Sequence, residues 1–385
     1  MIAAVKAITA AESRFGADLI LFLHNRYRTP GGEERAVQEL MTLVREELGE
    51  EAELLERDSA QLGRARAARG LLRGGLDPED VAVAVRRTGA RIVHAHNLNP
   101  SFGPRALHAA RDVGARTVLH LHNYRLVCAV GTCFNSRGED CVRCQGMKTW
   151  PGVRLNCRGT SRLEAATYAF ALAAYQLPLV GHADVIVVPS QAAADRMAAL
   201  DVPFDDPHVV GHVVRDFAER SRAGSGTYAL VASRLAPEKG IETAIEACRL
   251  AGVELVVAGD GPLDLRRDAA RFVGRVDQEE LADLRAGAAL AIVPSRSAET
   301  FGLAAAEAMA AGLPVVASDI GALPELVEPA GLAPPGDAAG LANAIKARFG
   351  DEDAGNRAIE AARAAASPQV VAPRLSAAYE AAALT

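Results

Sequence analysis

The sequence predicts an α/β protein of two domains, each built on a parallel sheet that helices cover on both faces. Short apolar runs alternate with helical stretches through both halves of the chain, which is typical of parallel strands joined by crossover helices. The chain has 385 residues, half of them hydrophobic, whereas a single core stops growing at roughly 250 to 300 residues. Two cores are therefore expected.

Several of the apolar runs are predicted as strands. They cover residues 17–23, 91–96, 117–122 and 185–188 in the first half, and 228–232, 254–258, 289–293 and 315–317 in the second. The segment 216–226 has no periodicity and ends in Arg-Ala-Gly-Ser-Gly, so we place a hinge there. The predicted domains are 1–215 and 216–367, with an added helix at 1–16 and a final helix at 368–385.

Charge is distributed unevenly along the chain. The net charge is −6 at pH 7, composed of +2 for residues 1–215 and −8 for the remainder. Residues 105–162 contain ten basic side chains against three acidic ones. This excess favours an anionic partner such as a membrane surface or a phosphate-bearing molecule. A solvated surface is the alternative.

The printed sequence has no segment that resembles a membrane anchor or a secretory leader. No apolar run approaches the roughly 20 residues that a membrane-spanning helix needs, and the N-terminus lacks the basic start and apolar centre of a signal peptide. We therefore expect a cytoplasmic protein, whose membrane contact, if any, is peripheral and at the inner face. No nucleic-acid partner is expected.

Five of the six cysteines lie between residues 128 and 157. Four of them, Cys128, Cys141, Cys144 and Cys157, follow the spacing C-x12-C-x2-C-x12-C, and Cys133 is left over. A pair of cysteines two residues apart is the usual half of a zinc site. We predict a structural zinc ion, because four sulfur ligands leave no open position for water. Reduced unliganded cysteines and a disulfide are the alternatives.

Two carboxylates flank a predicted helix at 304–311. Glu299 precedes this helix and Glu307 lies within it. Gly302 lets a ligand approach the backbone closely, and the first amides of a helix have no internal partner, so an anion such as a diphosphate is expected here. Glu307 can accept hydrogen bonds from vicinal hydroxyls. These features predict a sugar nucleotide; a surface helix with solvated glutamates is the alternative.

Three strands predicted in the first half end in the dipeptide His-Asn, at residues 24–25, 96–97 and 122–123. Ligands of open parallel sheets bind at the carboxyl ends of the strands, so these pairs are expected to converge on one crevice that faces the second domain. Because side chains alternate between the two faces of a strand, His94 and His96 are expected to share one face of their strand, and His120 and His122 one face of theirs. A competing interpretation is a metallohydrolase, in which three histidines near Glu33 or Glu34 bind zinc and activate water.

The second half contains five motifs in a fixed order. They are Ser233-Arg234-Leu235-Ala236-Pro237-Glu238-Lys239-Gly240, Gly259-Asp260-Gly261-Pro262, Phe272-Val273-Gly274-Arg275-Val276, Pro294-Ser295, and Glu299 to Glu307. This series resembles the retaining glycosyltransferases of the GT-B fold, in particular family 4. The match is specific over residues 228–330 and looser over the first half. The resemblance implies two Rossmann-like domains that face each other across a cleft.

The resemblance assigns the first domain to the acceptor and the second to a nucleotide sugar. It implies that the final helix packs back on the first domain. Residues 124–162, here called the cysteine lobe, would be an insert over the acceptor entrance. The loop 29–34, which includes Gly31 and Gly32, would close over the phosphates and the acceptor.

Roles for individual residues also follow from the resemblance. Arg234 and Lys239 would stabilise charge on the departing nucleoside diphosphate, so no catalytic metal is expected. His122 would lie beside the transferred sugar and support positive charge through its backbone carbonyl, with Glu299 facing the sugar. The remaining residues implied in donor binding are Gly261, Arg275, Val276, Phe301, Gly302, Leu303 and Glu307.

The function implied is transfer of a hexose-type sugar, with retention, from a nucleoside-diphosphate sugar to a hydroxyl acceptor. That acceptor would be a glycan, a lipid-linked or anionic molecule, or a small molecule. A sugar-nucleotide epimerase on the same fold, a glycan-binding protein without turnover, and the zinc metallohydrolase are the alternatives. The motifs do not distinguish UDP-, GDP- and ADP-sugars.

Overall fold

The computed structural model describes residues 19–27, 31–159, 161–263, 265 and 270–385. Its frame is two six-stranded sheets in which every strand pair is parallel. The predicted helix at 1–16 lies outside the described residues, as do Thr29 and Pro30 of the predicted loop.

The first sheet has the strand order β2-β1-β3-β4-β5-β6. Its strands are β1 (Leu19–Arg26), β2 (Glu51–Asp58), β3 (Ile92–Ala95), β4 (Arg116–His120), β5 (Val185–Val188) and β6 (His208–Val209). The helices of this half are α1 (Gly32–Glu47), α2 (Arg64–Arg73), α3 (Glu79–Thr88), α4 (Gly103–Asp112), α5 (Trp150–Arg154), α6 (Arg162–Gly181) and α7 (Gln191–Ala199).

The second sheet has the order β12-β11-β10-β7-β8-β9. Its strands are β7 (Tyr228–Ala232), β8 (Leu255–Ala258), β9 (Arg271–Gly274), β10 (Ala288–Val293), β11 (Val315–Ser318) and β12 (Leu332–Ala333). The helices here are α8 (Ile241–Ala251), α9 (Gln278–Gly287), α10 (Leu303–Ala310), α11 (Leu323–Leu326), α12 (Ala338–Arg348), α13 (Glu352–Ala366) and α14 (Pro368–Leu384).

All the predicted strands are present within three residues at each end, and four further strands were missed. The missed strands lie towards the edges of the sheets, where one face is less buried and the apolar signal is weaker. β2 is rich in glutamate, β6 and β12 are two residues long, and β9 alternates between exposed and half-buried side chains. β9 occupies part of the segment 272–276 that the sequence motif describes as a turn.

Each sheet is covered by apolar side chains on both faces. The final helix α14 packs against one face of the first sheet, where Val371 and Leu375 are fully buried with Phe22 and Val118. The preceding helix α13 instead packs on the second sheet. The chain therefore crosses between the two sheets at the junction of α13 and α14.

Within the described residues, no helix is both long enough and apolar enough to cross a membrane.

Candidate active site

The two sheets face each other across a narrow crevice lined by the tip of β4 on one side and by residues 299–303 on the other. The Thr300 hydroxyl donates a hydrogen bond to the backbone oxygen of His122 over 2.8 Å, and its own carbonyl accepts one from Ser190 over 2.7 Å. At Gly32, a side chain would begin 3.6 Å from Leu303. Residues predicted for the site in the first half of the chain, His122 and Gly32, therefore lie close to Thr300 and Leu303 of the second half.

Gly302 begins α10 in a left-handed conformation, with φ of 90°. A β-carbon at this position would lie 2.9 Å from Leu323 and would strain the backbone, so glycine is required. This turn directs the start of α10 into the crevice, where its first amides have no partner within the helix. An anion is the ligand that such a helix end favours.

Glu299 is held at the floor of the crevice by two donors. Its Oε1 lies 2.7 Å from Lys239 Nζ and also accepts a hydrogen bond from Ser295. Burial alone would raise the pKa of Glu299, but the Lys239 ammonium and the Ser295 hydroxyl outweigh burial and lower it. The carboxylate is therefore ionised at neutral pH and cannot act as a general acid.

Glu307 lies between two arginines that the sequence reasoning missed. Arg285 Nη2, on α9, is 2.6 Å from Glu307 Oε2, and Arg35 Nη1, on α1, is 2.6 Å from Oε1. Arg35 and Glu307 are 272 positions apart, so no spacing in the sequence indicates the pair. Each carboxylate oxygen of Glu307 therefore already accepts a hydrogen bond from a guanidinium group.

The Pro-x-Lys-Gly turn is locked against the Pro294-Ser295 loop. Gly240 has φ of 66°, and a β-carbon there would lie 1.9 Å from the Pro294 carbonyl oxygen. This packing places Lys239 beside Glu299. The half-exposed guanidinium of Arg234 pairs with Glu238 on the same turn.

The predicted base-binding segment lies beside the Gly-Asp-Gly-Pro turn. The Gly259 amide donates to the Gly274 carbonyl over 2.7 Å, and a β-carbon at Gly261 would lie 2.2 Å from the Leu235 carbonyl oxygen. Arg275 is exposed, whereas Val276 packs against the core of the second sheet. Arg275 is thus the more accessible of these two side chains.

Phe301 points away from the predicted donor pocket. Its buried ring meets the edge of His212 with a centroid distance of 5.0 Å, and Gly211 leaves room for it. If Phe301 contacts the donor, it therefore does so through its backbone and not through its ring. His212, which the sequence reasoning missed, lies 5.3 Å from His122 in a parallel stack.

Five buried histidines form a continuous row behind the crevice. Neighbouring ring centroids in the row are 4.3 to 5.4 Å apart, and the members are His94, His96, His120, His122 and His212. Burial lowers the pKa of each, to about 3 for His94 and about 4 for His212. These rings are therefore neutral at physiological pH, including His122, whose Nε2 lies 2.7 Å from His96 Nδ1.

The geometry does not favour the metallohydrolase alternative. Among the described residues, one trio of potential metal ligands, His94, His96 and His120, has its ligand atoms within 4.8 Å of one another. All three side chains are buried, whereas a catalytic zinc keeps a position open to water. Glu33 and Glu34 lie 3.9 and 3.8 Å from His24, and Glu33 also borders a cavity lined by His96 and His120.

A polar network not anticipated from the sequence supports the tip of β4. The Glu33 carboxylate accepts hydrogen bonds from the Tyr27 hydroxyl at 2.9 Å and the Asn123 amide at 3.1 Å. Burial raises the pKa of Glu33, against the opposing effect of His24 and the Tyr27 hydrogen bond. The guanidinium of Arg125 lies over the Tyr27 ring. This network fixes the side chain of Asn123, the residue that follows His122.

The glycine loop is tied to the end of β1 by Glu34. This carboxylate accepts the amide hydrogens of Gly31 at 2.7 Å and Tyr27 at 3.0 Å. Burial would raise its pKa, but the hydrogen bonds from His24, Gly31 and Tyr27 lower it. Gly31 and Gly32 themselves are exposed at the mouth of the crevice.

The five cysteines of the cysteine lobe line a single cavity of about 20 Å³. Cys133 is buried in the first core, whereas Cys128, Cys141, Cys144 and Cys157 are only half-buried. No three of the sulfur atoms in the described lobe lie within 4.8 Å of one another. The lobe also contacts the second half of the chain, because Arg296 donates to the Gly138 carbonyl over 2.7 Å.

Comparison with known proteins identifies the family. Residues 5–213 match the family described as a glycosyl transferase 4-like domain, and this match covers more than half of the chain. This chain belongs to the glycosyl transferase 4-like family. Residues 226–351 of this glycosyl transferase 4-like protein match a second family, glycosyl transferases group 1. The second match includes every candidate donor residue from Arg234 to Glu307.

Curated relatives of this family member match over part of their length. Glycogen synthase of Mycobacterium tuberculosis is 40% identical over 164 residues, which are 38% of this chain and 39% of that protein. Phosphatidyl-myo-inositol mannosyltransferase of Mycobacterium leprae is 36% identical over 128 residues, 29% of this chain and 34% of that protein. The chain thus spans less than two fifths of these relatives.

Solved structures share the whole architecture. Sucrose-phosphate synthase from Thermosynechococcus elongatus superposes with a TM-score of 0.67 over 94% of this chain and 98% of its own, at 18% identity. Anabaena HepE, solved with UDP and glucose, gives 0.59 over 94% and 99%, at 19% identity. The glycosyl transferase 4-like protein therefore has the GT-B fold.

Proposed function

We propose that this protein is a glycosyltransferase that moves a hexose-type sugar from a nucleoside-diphosphate sugar to a hydroxyl acceptor, with retention at the anomeric carbon. The observation that carries the proposal is the pairing of Glu299 with Lys239 beside the start of α10, directly across the crevice from His122. An anion site, a cation for the leaving group and a neutral imidazole thus meet at one point.

The diphosphate of the donor binds at the amino end of α10 and against Lys239 and Arg234. As the bond between sugar and phosphate breaks, negative charge grows on the phosphate oxygen, and these two cations stabilise it. They do the work that a metal ion performs in other transferases, so the chemistry needs no catalytic metal. The base lies against the backbone of 272–276, and the Glu307 carboxylate accepts the ribose hydroxyls.

The sugar lies between Glu299 and His122. Because burial keeps the imidazole of His122 neutral, this ring can form a hydrogen bond with a sugar hydroxyl. A neutral ring also does not repel the positive charge that the sugar develops in the transition state. The His122 carbonyl accepts a hydrogen bond from the Thr300 hydroxyl, so its second lone pair is the one that would face the sugar. The acceptor hydroxyl attacks from the face of the departing phosphate, whose oxygen takes the proton.

The comparisons support a nucleotide-sugar donor. Anabaena HepE was solved with UDP-glucose, and one curated relative is a mannosyltransferase of phosphatidyl-myo-inositol. These names favour a UDP-sugar donor and a glycan or glycolipid acceptor.

The test is a panel of UDP-, GDP- and ADP-sugars scored by thermal shift and by release of nucleoside diphosphate. A transferase releases the diphosphate slowly without acceptor and faster with one, and nuclear magnetic resonance of the product reports the anomeric configuration. An epimerase would instead convert the donor without releasing diphosphate. A binding protein would be stabilised by the donor and leave it unchanged.

We further propose that Cys128, Cys141, Cys144 and Cys157 bind one structural zinc ion. Their shared cavity, which the buried Cys133 also lines, is large enough for one water-sized body. Zinc binding requires the four sulfur atoms to move together by side-chain rotation, because zinc–sulfur bonds are about 2.3 Å long. The small apolar cluster beneath the lobe, Val153, Ala165 and Ala169, supports a need for such a crosslink.

A further inference from the structure

Helix α6 exposes an apolar stripe to solvent. Leu163 is 79% exposed, Phe170 is 56% exposed, and Leu177 is also exposed. They are seven residues apart, which is close to two helical turns, so they share one face. No charged residue follows Glu164 in this helix. Apolar side chains that are aligned and exposed in this way mark a surface that binds something.

Neighbouring elements extend the stripe into one continuous surface. The Thr149 hydroxyl donates to the Ala169 carbonyl over 2.6 Å, which places the exposed Trp150 beside α6. On the other side, the Tyr175 hydroxyl donates to the Leu72 carbonyl of α2 over 2.6 Å. Leu72 is itself exposed. We call this area, formed by the exposed faces of α2, α5 and α6, the α6 surface.

Basic side chains surround the apolar residues of the α6 surface. The exposed ones are Arg64, Arg69 and Arg73 on α2, and Arg143, Lys148, Arg154 and Arg162 around α5 and the start of α6. The nearby carboxylate of Glu164 is neutralised by Arg158 at 2.9 Å, and that of Asp77 by Arg66 at 2.9 Å. The surface is therefore apolar at its centre and positively charged at its rim.

We propose that the α6 surface docks on an anionic lipid bilayer. Exposed tryptophan, leucine and phenylalanine residues enter the boundary between headgroups and acyl chains, and arginine and lysine at the rim pair with acidic headgroups. A protein partner would need a surface that is both apolar and strongly acidic. An anionic membrane offers an apolar interior to the centre of the α6 surface and acidic headgroups to its basic rim. The inference does not depend on the proposed function, because it concerns binding of the protein itself.

The single tryptophan of the chain makes the test specific. Because Trp150 is the only tryptophan and is 68% exposed, its fluorescence reports on the α6 surface alone. Vesicles that contain phosphatidylglycerol should shift the emission to the blue and protect Trp150 from acrylamide, whereas phosphatidylcholine vesicles should not. The affinity should fall as salt is added.

Variants separate the apolar and charged contributions. Leu163→Ser/Phe170→Ser should abolish the fluorescence shift and co-sedimentation with the vesicles. Arg64→Gln/Arg69→Gln/Arg73→Gln should weaken binding by roughly fivefold for each charge removed, which corresponds to the usual contribution of a basic residue near an acidic membrane. Leu250→Ser, at an exposed leucine of α8 in the other half, is the matched control and should bind as the unmodified protein does.

Three results would overturn the proposal. These are an unshifted Trp150 spectrum with acidic vesicles, equal binding to neutral and acidic vesicles, and unaltered binding of the Leu163→Ser/Phe170→Ser variant. Light scattering tests whether the α6 surface binds a second copy of the protein. If the protein does not bind vesicles but forms a dimer that Phe170→Ser dissociates, the surface serves self-association and not membrane binding. Circular dichroism of each variant verifies that it is folded.

Discussion

Arg35 Nη1 lies 2.6 Å from Glu307 Oε1, and this ion pair joins the first helix of one half of the chain to the helix at the centre of the other. Arg285 occupies the second oxygen of the same carboxylate. Both oxygens of the proposed ribose-binding carboxylate therefore pair with the protein's own arginines. If the ribose of the donor binds Glu307, as proposed above, it competes with Arg35 for this carboxylate, so donor binding and the contact between the two halves are coupled.

The first prediction concerns this carboxylate. Glu307→Gln should weaken binding of nucleoside diphosphate by roughly tenfold to 150-fold, since a hydrogen bond to a charged group contributes about 1.5 to 3 kcal/mol. Arg35→Met should bind the diphosphate at least as tightly as the unmodified protein, because the ribose no longer competes for Glu307. Isothermal titration calorimetry measures both, with Glu360→Gln on α13 as the exposed control. Equal affinity in the Glu307 variant would refute the assignment.

The second prediction concerns the cations of the leaving group. Lys239→Met and Arg234→Met should each lower kcat by about a hundredfold or more, because each removes a charge that stabilises the departing diphosphate. Arg249→Met removes an exposed arginine on α8 that pairs with Glu246 and should leave kcat unchanged. The assay is release of nucleoside diphosphate in the presence of acceptor. Turnover that survives both substitutions would exclude these residues from the reaction.

The third prediction separates Glu299 from Glu307. Glu299→Gln should chiefly lower kcat and leave the affinity for nucleoside diphosphate nearly unchanged, because this carboxylate faces the sugar and not the nucleoside. Since Glu299 and Lys239 are 2.7 Å apart, the two substitutions should not be additive. A double-mutant cycle on kcat tests this. Additive losses would show that the two side chains act independently.

The fourth prediction concerns pH and the buried histidines. Burial lowers the pKa of His94, His96, His120, His122 and His212, whereas an unfolded histidine titrates near 6.5. Well above pH 6.5 neither state binds a proton at these rings, so their contribution to stability is constant there. Below it the unfolded chain takes up protons that the folded one rejects, and stability falls with pH. Each ring should cost about 1.4 kcal/mol at pH 5.5.

Urea unfolding between pH 7.5 and 5.5 measures this dependence. His120→Gln should reduce the slope of the unfolding free energy against pH, because its unfolded state takes up one proton fewer than that of the unmodified protein. His108→Gln is the matched control, because this histidine lies exposed on α4 beside Asp112. A free energy of unfolding that does not change across this range would contradict the burial of the row.

The fifth prediction concerns zinc in the cysteine lobe. Protein purified without chelator should contain one zinc per chain, and Cys141→Ser/Cys144→Ser should lose it. Donor binding should survive, because the donor residues lie in the other half. Cys248→Ser, at a buried cysteine of α8, should retain the metal. Mass spectrometry that finds no zinc, or finds a disulfide between Cys128 and Cys133, would refute the site.

Local sequence determined the central strands of both sheets and the candidate donor loops of this protein. The strands at 185–188 and 228–232 were predicted to the residue, because a parallel strand buried on both faces is a continuous apolar run between turns. Gly302 was expected to let a ligand approach the backbone, and Gly240 and Gly261 belong to the motifs that carry the family resemblance; at all three positions the structure leaves too little room for a side chain. These signals lie within a few residues of one another, so the sequence alone displays them.

Only the tertiary structure decided which distant side chains meet. The pairing of Arg35 with Glu307, the contact of Thr300 with the His122 carbonyl, and the orientation of Phe301 towards His212 each join residues separated by most of a domain or more. A charged residue on a helix has the same local pattern whether it faces solvent or a partner far along the chain. The burial of the histidine row was also hidden, because a histidine pKa depends on the surrounding fold and not on its neighbours in sequence.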